Sequence, residues 1–124
     1  MSTLIRAAEF HQLLQNDHQQ ERVRGTPREI DFLPVCKLWL PFSKVMWLLT
    51  EVSNEEPDIA FGLADLSLGF PEMGSVWLPE LADLRHGHLR VVQDVNFTTK
   101  KTLSWWADQA RMTSSLAAVK EPAS

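Results

Sequence analysis

The sequence predicts an α+β fold: a curved antiparallel sheet of about four to five strands, with N-terminal and C-terminal helices packed on it. Three observations lead there. Apolar residues recur at helical spacing near both ends of the chain. Between them lie short β-prone runs, among them Val45-Met46-Trp47-Leu48-Leu49 and Ile59-Ala60-Phe61-Gly62-Leu63. Turn chemistry such as Ser53-Asn54-Glu55-Glu56-Pro57 separates the runs, and connections that short favour antiparallel hairpins.

A first helix is expected over residues 3–15, on a stripe of Leu4, Ala7, Ala8, Phe10, Leu13 and Leu14, with Ser2 or Thr3 as N-cap and a stop at Asn16-Asp17. Residues 17–29 are polar and read as a loop, ending near Gly25 and Pro27. A strand follows between Pro34 and Pro41, since proline belongs at strand ends or edges. Lys44 to Val52 and Asp58 to Asp65 are the next two strands. In the latter the small residues Ala60, Gly62 and Ala64 permit very close packing on one face. Leu66 to Gly74 reads as a loop, Ser75 to Leu78 as a short strand, and Pro79 to Arg85 as a short helix stopped by Gly87. Val91 to Phe97 is a further strand. A last helix over 102–112 is capped by Thr99 or Thr102 and buries Leu103, Trp106, Ala107 and Ala110. The helices are expected to cover one face of the sheet. The division is therefore a helix and polar linker over 1–30, a single body over 31–112 and a flexible tail over 113–124. There is no internal repeat.

Composition narrows the function classes. The chain has 124 residues, enough for one domain with its own core. Its lone cysteine, Cys36, cannot form an internal disulfide. The N-terminal residues lack a signal-peptide pattern and no apolar stretch is long enough to span a bilayer, so a cytoplasmic location without a membrane partner is expected. Net charge is −4, but its distribution is uneven. No Lys or Arg occurs between Lys44 and Arg85, a stretch holding Glu51, Glu55, Glu56, Asp58, Asp65, Glu72, Glu80 and Asp83. Such a segment is either a solvated face or a surface for a basic partner. No glycine-rich phosphate loop is present. His86-Gly87-His88 is the only close histidine pair and lacks further zinc ligands, so no cofactor and no metal are expected.

Several stretches, in order, resemble the bacterial domain-of-unknown-function family numbered 2958. They are Pro34-Val35-Cys36-Lys37-Leu38, Trp47-Leu48-Leu49-Thr50-Glu51, Pro57 through Leu66 (Pro-Asp-Ile-Ala-Phe-Gly-Leu-Ala-Asp-Leu) and Gly69-Phe70-Pro71-Glu72-Met73-Gly74, continued by Leu81, Asp94 and Leu103-Ser104. Trp39, Ala64 and Ser75 depart from the phenylalanine, cysteine and tyrosine that the resemblance leads one to expect. The resemblance implies a plasmid or mobile-element setting. Taken with the acidic stretch and the tryptophans, that setting leads one to expect an accessory protein acting by protein–protein interaction, in defence evasion or plasmid maintenance. The alternative the resemblance implies is a metal-dependent single-stranded DNA nuclease or nucleic-acid-processing protein.

Residues can be assigned to each reading. A nuclease would need Glu51, Asp58, Asp65 and Glu72 to converge on a cation. If Trp47 and Leu49 share a face with Phe61 and Leu63, Glu51 and Asp65 share it too, but at opposite ends of the hairpin. Asp65 then serves to tie the following loop through backbone N–H groups. A protein-binding surface would use exposed tryptophan, drawn from Trp105, Trp39 and Trp77, beside the acids Glu55 and Glu56. Trp47 and Trp106 are expected in the core, and Cys36 is expected as a small buried residue. Nucleic acid is the less favoured partner; a DNA-binding regulator would rely on Arg22, Arg24, Arg28, Lys100 and Lys101.

Overall fold

The computed structural model describes residues 4–122. An α-helix, α1 (Ala7–Glu21), precedes four strands joined in succession: β1 (Cys36–Trp39), β2 (Met46–Val52), β3 (Ile59–Asp65) and β4 (Glu72–Trp77). A short helix α2 (Leu78–Asp83) leads into a small hairpin of β5 (Arg85–His86) and β6 (Leu89–Arg90). Strand β7 (Val92–Gln93), helix α3 (Leu103–Thr113) and a 3-10 turn (Leu116–Ala118) complete the described chain. The main sheet is open, antiparallel and five-stranded, in the order β4-β3-β2-β1-β7. The α+β class is as expected.

Helices cover both faces, not one. Strand β2 is buried at every position. Its Trp47 and Leu49 face α1, in a cluster with Leu13, Cys36, Ala60 and Val76. Met46 and Leu48 face the other way, with Leu63, against Leu103, Trp106, Ala107 and Ala110 of α3. A central strand covered on both sides reads as a continuous apolar run, which is why alternation could not reveal the second layer. The expected stripe of α3 is the observed one, and Thr102 caps the helix by accepting the Trp105 N–H.

Helix α1 starts and ends later than expected. The Ser2 and Thr3 caps lie outside the described residues. Arg6 is the N-cap, and its N–H donates 2.8 Å to Gln93 Oε1, which ties the helix start to β7. At the other end α1 runs through Asp17 because its buried face there is polar and satisfied. Asn16 Nδ2 donates to Thr50 O at 2.9 Å. Asp17 Oδ2 accepts from the backbone and side-chain amides of Asn54, both at 3.0 Å. Gln20 bonds both the N–H and the C=O of Ile30. The linker over 17–29 is therefore in part a docked helical turn.

Other boundaries shift for local reasons. β4 begins at Glu72, inside the expected loop, because pairing with Ala64 and Leu63 extends the hairpin. Gly87, with φ of 64°, is not a helix stop but the first turn residue of the β5–β6 hairpin. The strand expected over 91–97 is only two residues long, since Asp94 Oδ1 accepts the Asn96 N–H and turns the chain. The expected flexible tail is held at two points among its described residues: Leu116 is buried, and Glu121 accepts from Thr99 Oγ1 at 2.6 Å and from Lys100 N at 2.8 Å.

Candidate functional site

The reach of α3 decides which part of the sheet stays open. This helix covers Met46, Leu48 and Leu63, and the same face continues outward to the sheet edge. There, pairing sets Ile59 beside Trp77, Phe61 beside Ser75 and Leu63 beside Met73. Paired residues project from one face. Leu63 is fully buried, yet Phe61, Met73 and Trp77 are 38%, 40% and 49% exposed. An apolar strip thus runs along β3 and β4, with exposed Ser75 in its middle.

Acids gather at one end of this strip. The Leu78 N–H donates to Asp58 O at 2.8 Å and holds the β2–β3 turn against the end of β4. Glu55, Glu56 and Asp58 on that turn are exposed, as is Glu80 in α2, while Glu72, also exposed at the start of β4, projects from the other face of the sheet. Trp77, Glu55 and Glu56 are therefore brought to one end of the sheet. Trp39 is not, because it pairs with Met46 and Val92 toward the opposite end and is half-buried. Trp105 is half-buried too, set edge-on to Trp106 at 5.3 Å, with Lys101 Nζ 5.6 Å from its ring centre. Nothing local in the sequence signals that Phe61 and Met73 join Trp77. Their alternation is that of ordinary core, and only the width of α3 leaves them outside.

The four carboxylates of the nuclease reading lie apart along the sheet. The pairing differs from the parity assumed: Leu48, not Trp47 or Leu49, faces Leu63. A bulge at Thr50 then sets Glu51 opposite Phe61 near one end, while Asp65 pairs with Met46 at the other. Glu72 pairs with Ala64, so it projects from the opposite face to Asp65. Asp58 is exposed on the turn beyond β3. Asp65, 1% exposed, accepts from Ser67 N and Leu116 N, each at 2.8 Å. Among the described residues, no group of three His, Cys, Asp or Glu is placed to hold a metal ion.

The titration of Glu51 is displaced. Burial pushes its pKa above the ordinary value, partly offset by the Thr50 hydroxyl donating to Oε2 at 2.7 Å and by Arg24. A carboxyl raised in the folded state binds more protons folded than unfolded, so stability falls as pH rises through the interval between the two values. Glu51→Gln keeps an acceptor for Thr50 and removes that slope. Thermal melts across the acidic-to-neutral range should show the variant at least as stable as the wild type near neutrality and less pH-dependent. A variant that is less stable at every pH would contradict this. Cys36 is unreactive by the same physics, its thiol pushed up to about 12 by burial.

A cavity of about 260 Å³ lies between the sheet and the C-terminal segment, lined by Met46, Leu48, Phe97, Trp106 and Leu116. Its charged groups are already engaged, Lys37 with Asp94 at 3.9 Å and Glu121 with Thr99 and Lys100. It offers no convergent polar set for a ligand. Among the described residues no helix is long and apolar enough to cross a membrane.

Comparison with known proteins adds one finding. No curated protein and no solved structure matches the chain. The profile of a family described as "Protein of unknown function (DUF2958)" matches residues 4–117, and the chain belongs to that family.

Proposed function

We propose that the protein acts by binding another protein through the open strip of Phe61, Met73 and Trp77. The observation that carries this reading is the strip itself: three large apolar side chains close together on one face of the sheet, with exposed acids at its Trp77 end, left uncovered by α3. Exposed aromatic anchors inside a polar rim are the usual makings of a protein interface. The acids favour a partner with basic residues around an apolar contact. The setting is that of a mobile-element accessory protein, in defence evasion or plasmid maintenance. The spread of Glu51, Asp58, Asp65 and Glu72 along the sheet favours this reading over a metal-dependent nuclease.

The test is capture of partners from the native host by wild-type chain, Trp77→Ala and Trp105→Ala. Trp77→Ala should leave the fold within about 0.5 kcal/mol of wild type and weaken the complex about 30-fold, as loss of an anchor does. Trp105→Ala should lower stability, because the ring packs on Trp106, and leave affinity nearly unchanged. A complex that tolerates Trp77→Ala but not Trp105→Ala would refute the placement of the site.

A further inference from the structure

The sheet has two edges, and they are built differently. On the β7 side the edge strand is two residues long, and Gln93 spends its side chain on Arg6 N and Glu9 Oε1 at the start of α1. On the other side β4 is six residues long, and among the described residues no strand pairs with its outer side. Edge strands are normally protected by lysine, proline, bulges or a covering segment. Glu72–Trp77 contains neither lysine nor proline and pairs with β3 without interruption. At its middle, Gly74 leaves open space where a Cβ would stand. The exposed Met73, Ser75 and Trp77 alternate along it on one face, beside Phe61.

Charge selects the occupant. Glu72 stands exposed at one end of β4, and Glu55, Glu56, Asp58 and Glu80 stand exposed about the other. A second copy of this chain pairing antiparallel through β4 would bring acids against acids at both ends, which is unfavourable. A basic segment meets the opposite condition.

We infer that β4 is a strand-addition site, where an extended segment of a partner protein, apolar at alternate positions and flanked by Lys or Arg, joins the five-stranded sheet. This rests on the docking reading above and specifies how the partner is held. The added strand bonds the outer backbone groups of β4. Its alternate apolar side chains meet Met73 and Trp77, and its flanking cations meet Glu72 on one side and the β2–β3 turn on the other.

The experiment uses the isotope-labelled full chain and two synthetic peptides. One alternates valine and threonine between terminal lysines; the other has glutamates in place of the lysines. With millimolar basic peptide, alternate amides of β4 should slow their hydrogen exchange by about tenfold or more, and the acidic peptide should leave them unchanged. Gly74→Lys fits the open space at that position, so the fold persists, and it should weaken basic-peptide binding about tenfold by setting a cation on the edge. Unchanged β4 exchange with the basic peptide, or equal protection by the acidic one, overturns the inference. If β4 stays unprotected while a captured host partner still requires Trp77, strand addition fails and the docking strip stands. If that partner ignores both β4 and Trp77, both fail.

Discussion

Gly62→Ala is expected to lower the melting temperature by about 10 °C or more, and Gly62→Val to leave the chain largely unfolded at room temperature. The cause is steric contact, not backbone conformation. A Cβ at Gly62 would stand 2.0 Å from Leu48 O and 2.8 Å from Leu49 Cα, inside the β2–β3 ladder. Those atoms belong to the strand that both helices pack against, so they have no direction in which to yield. The bulge explains the close approach. Leu49 pairs with Gly62 and Glu51 with Phe61, so Thr50 is the extra residue of the bulge, with no residue paired to it on β3. Asn16 of α1 and the Glu51 carboxyl then hold Thr50 by its carbonyl and its hydroxyl. Adding a methyl group means breaking this arrangement, at a cost of about 3 kcal/mol or more out of the 5–15 kcal/mol usual for a whole domain. Chemical denaturation of Gly62→Ala checks the magnitude, and near-wild-type stability would show that β2 can move aside.

Asp65→Ala is expected to cost about 2–4 kcal/mol, and Asp65→Asn roughly half as much. The carboxylate sits at the end of β3 and joins two segments: the loop after β3, through Ser67 N, and the start of the 3-10 turn, through Leu116 N. Ser67 has φ of 64°, an uncommon conformation for a residue with a side chain, and Asp65 is the group that fixes it. Alanine leaves the buried Leu116 N–H without an acceptor, and an unpaired buried donor costs more than the bond itself was worth. Asparagine retains one accepting oxygen, so one of the two N–H groups stays served. The Leu116 amide should exchange faster in Asp65→Ala, with the C-terminal segment loosening before the sheet unfolds. Unchanged exchange at Leu116 would count against the tie.

The sequence shows some of these features and hides others for definite reasons. The Leu103, Trp106, Ala107 and Ala110 stripe is legible because apolar residues at helical spacing leave little choice of face. The strands around Trp47 and Phe61 are legible as β-prone runs between turns. The second half of α1 is not, because its buried side is Asn16, Asp17 and Gln20, and polar residues enter a core only where specific partners meet them. Those partners, Thr50 O, Asn54 and Ile30, are distant in sequence. The bulge at Thr50 shifts register by one residue and so escapes any parity argument. Asp65 could be read as a loop tie from Ser67 alone, but its bond to Leu116 spans 51 residues and has no local signal. At the candidate site the acid-only stretch and Trp77 were visible. That they would meet an open strip with Phe61 and Met73 depends on how far α3 reaches, which only the assembled fold decides.

The proposed site is the open face of β3 and β4. The most direct measurement is amide chemical-shift mapping of the labelled full chain with a partner captured from its native host. The largest changes are expected on Phe61, Met73, Ser75 and Trp77 and on the turn carrying Glu55 and Glu56, with α1 and the α3 cluster unmoved. Changes concentrated at Trp105, Lys101 and the C-terminal segment, with β3 and β4 silent, would contradict it.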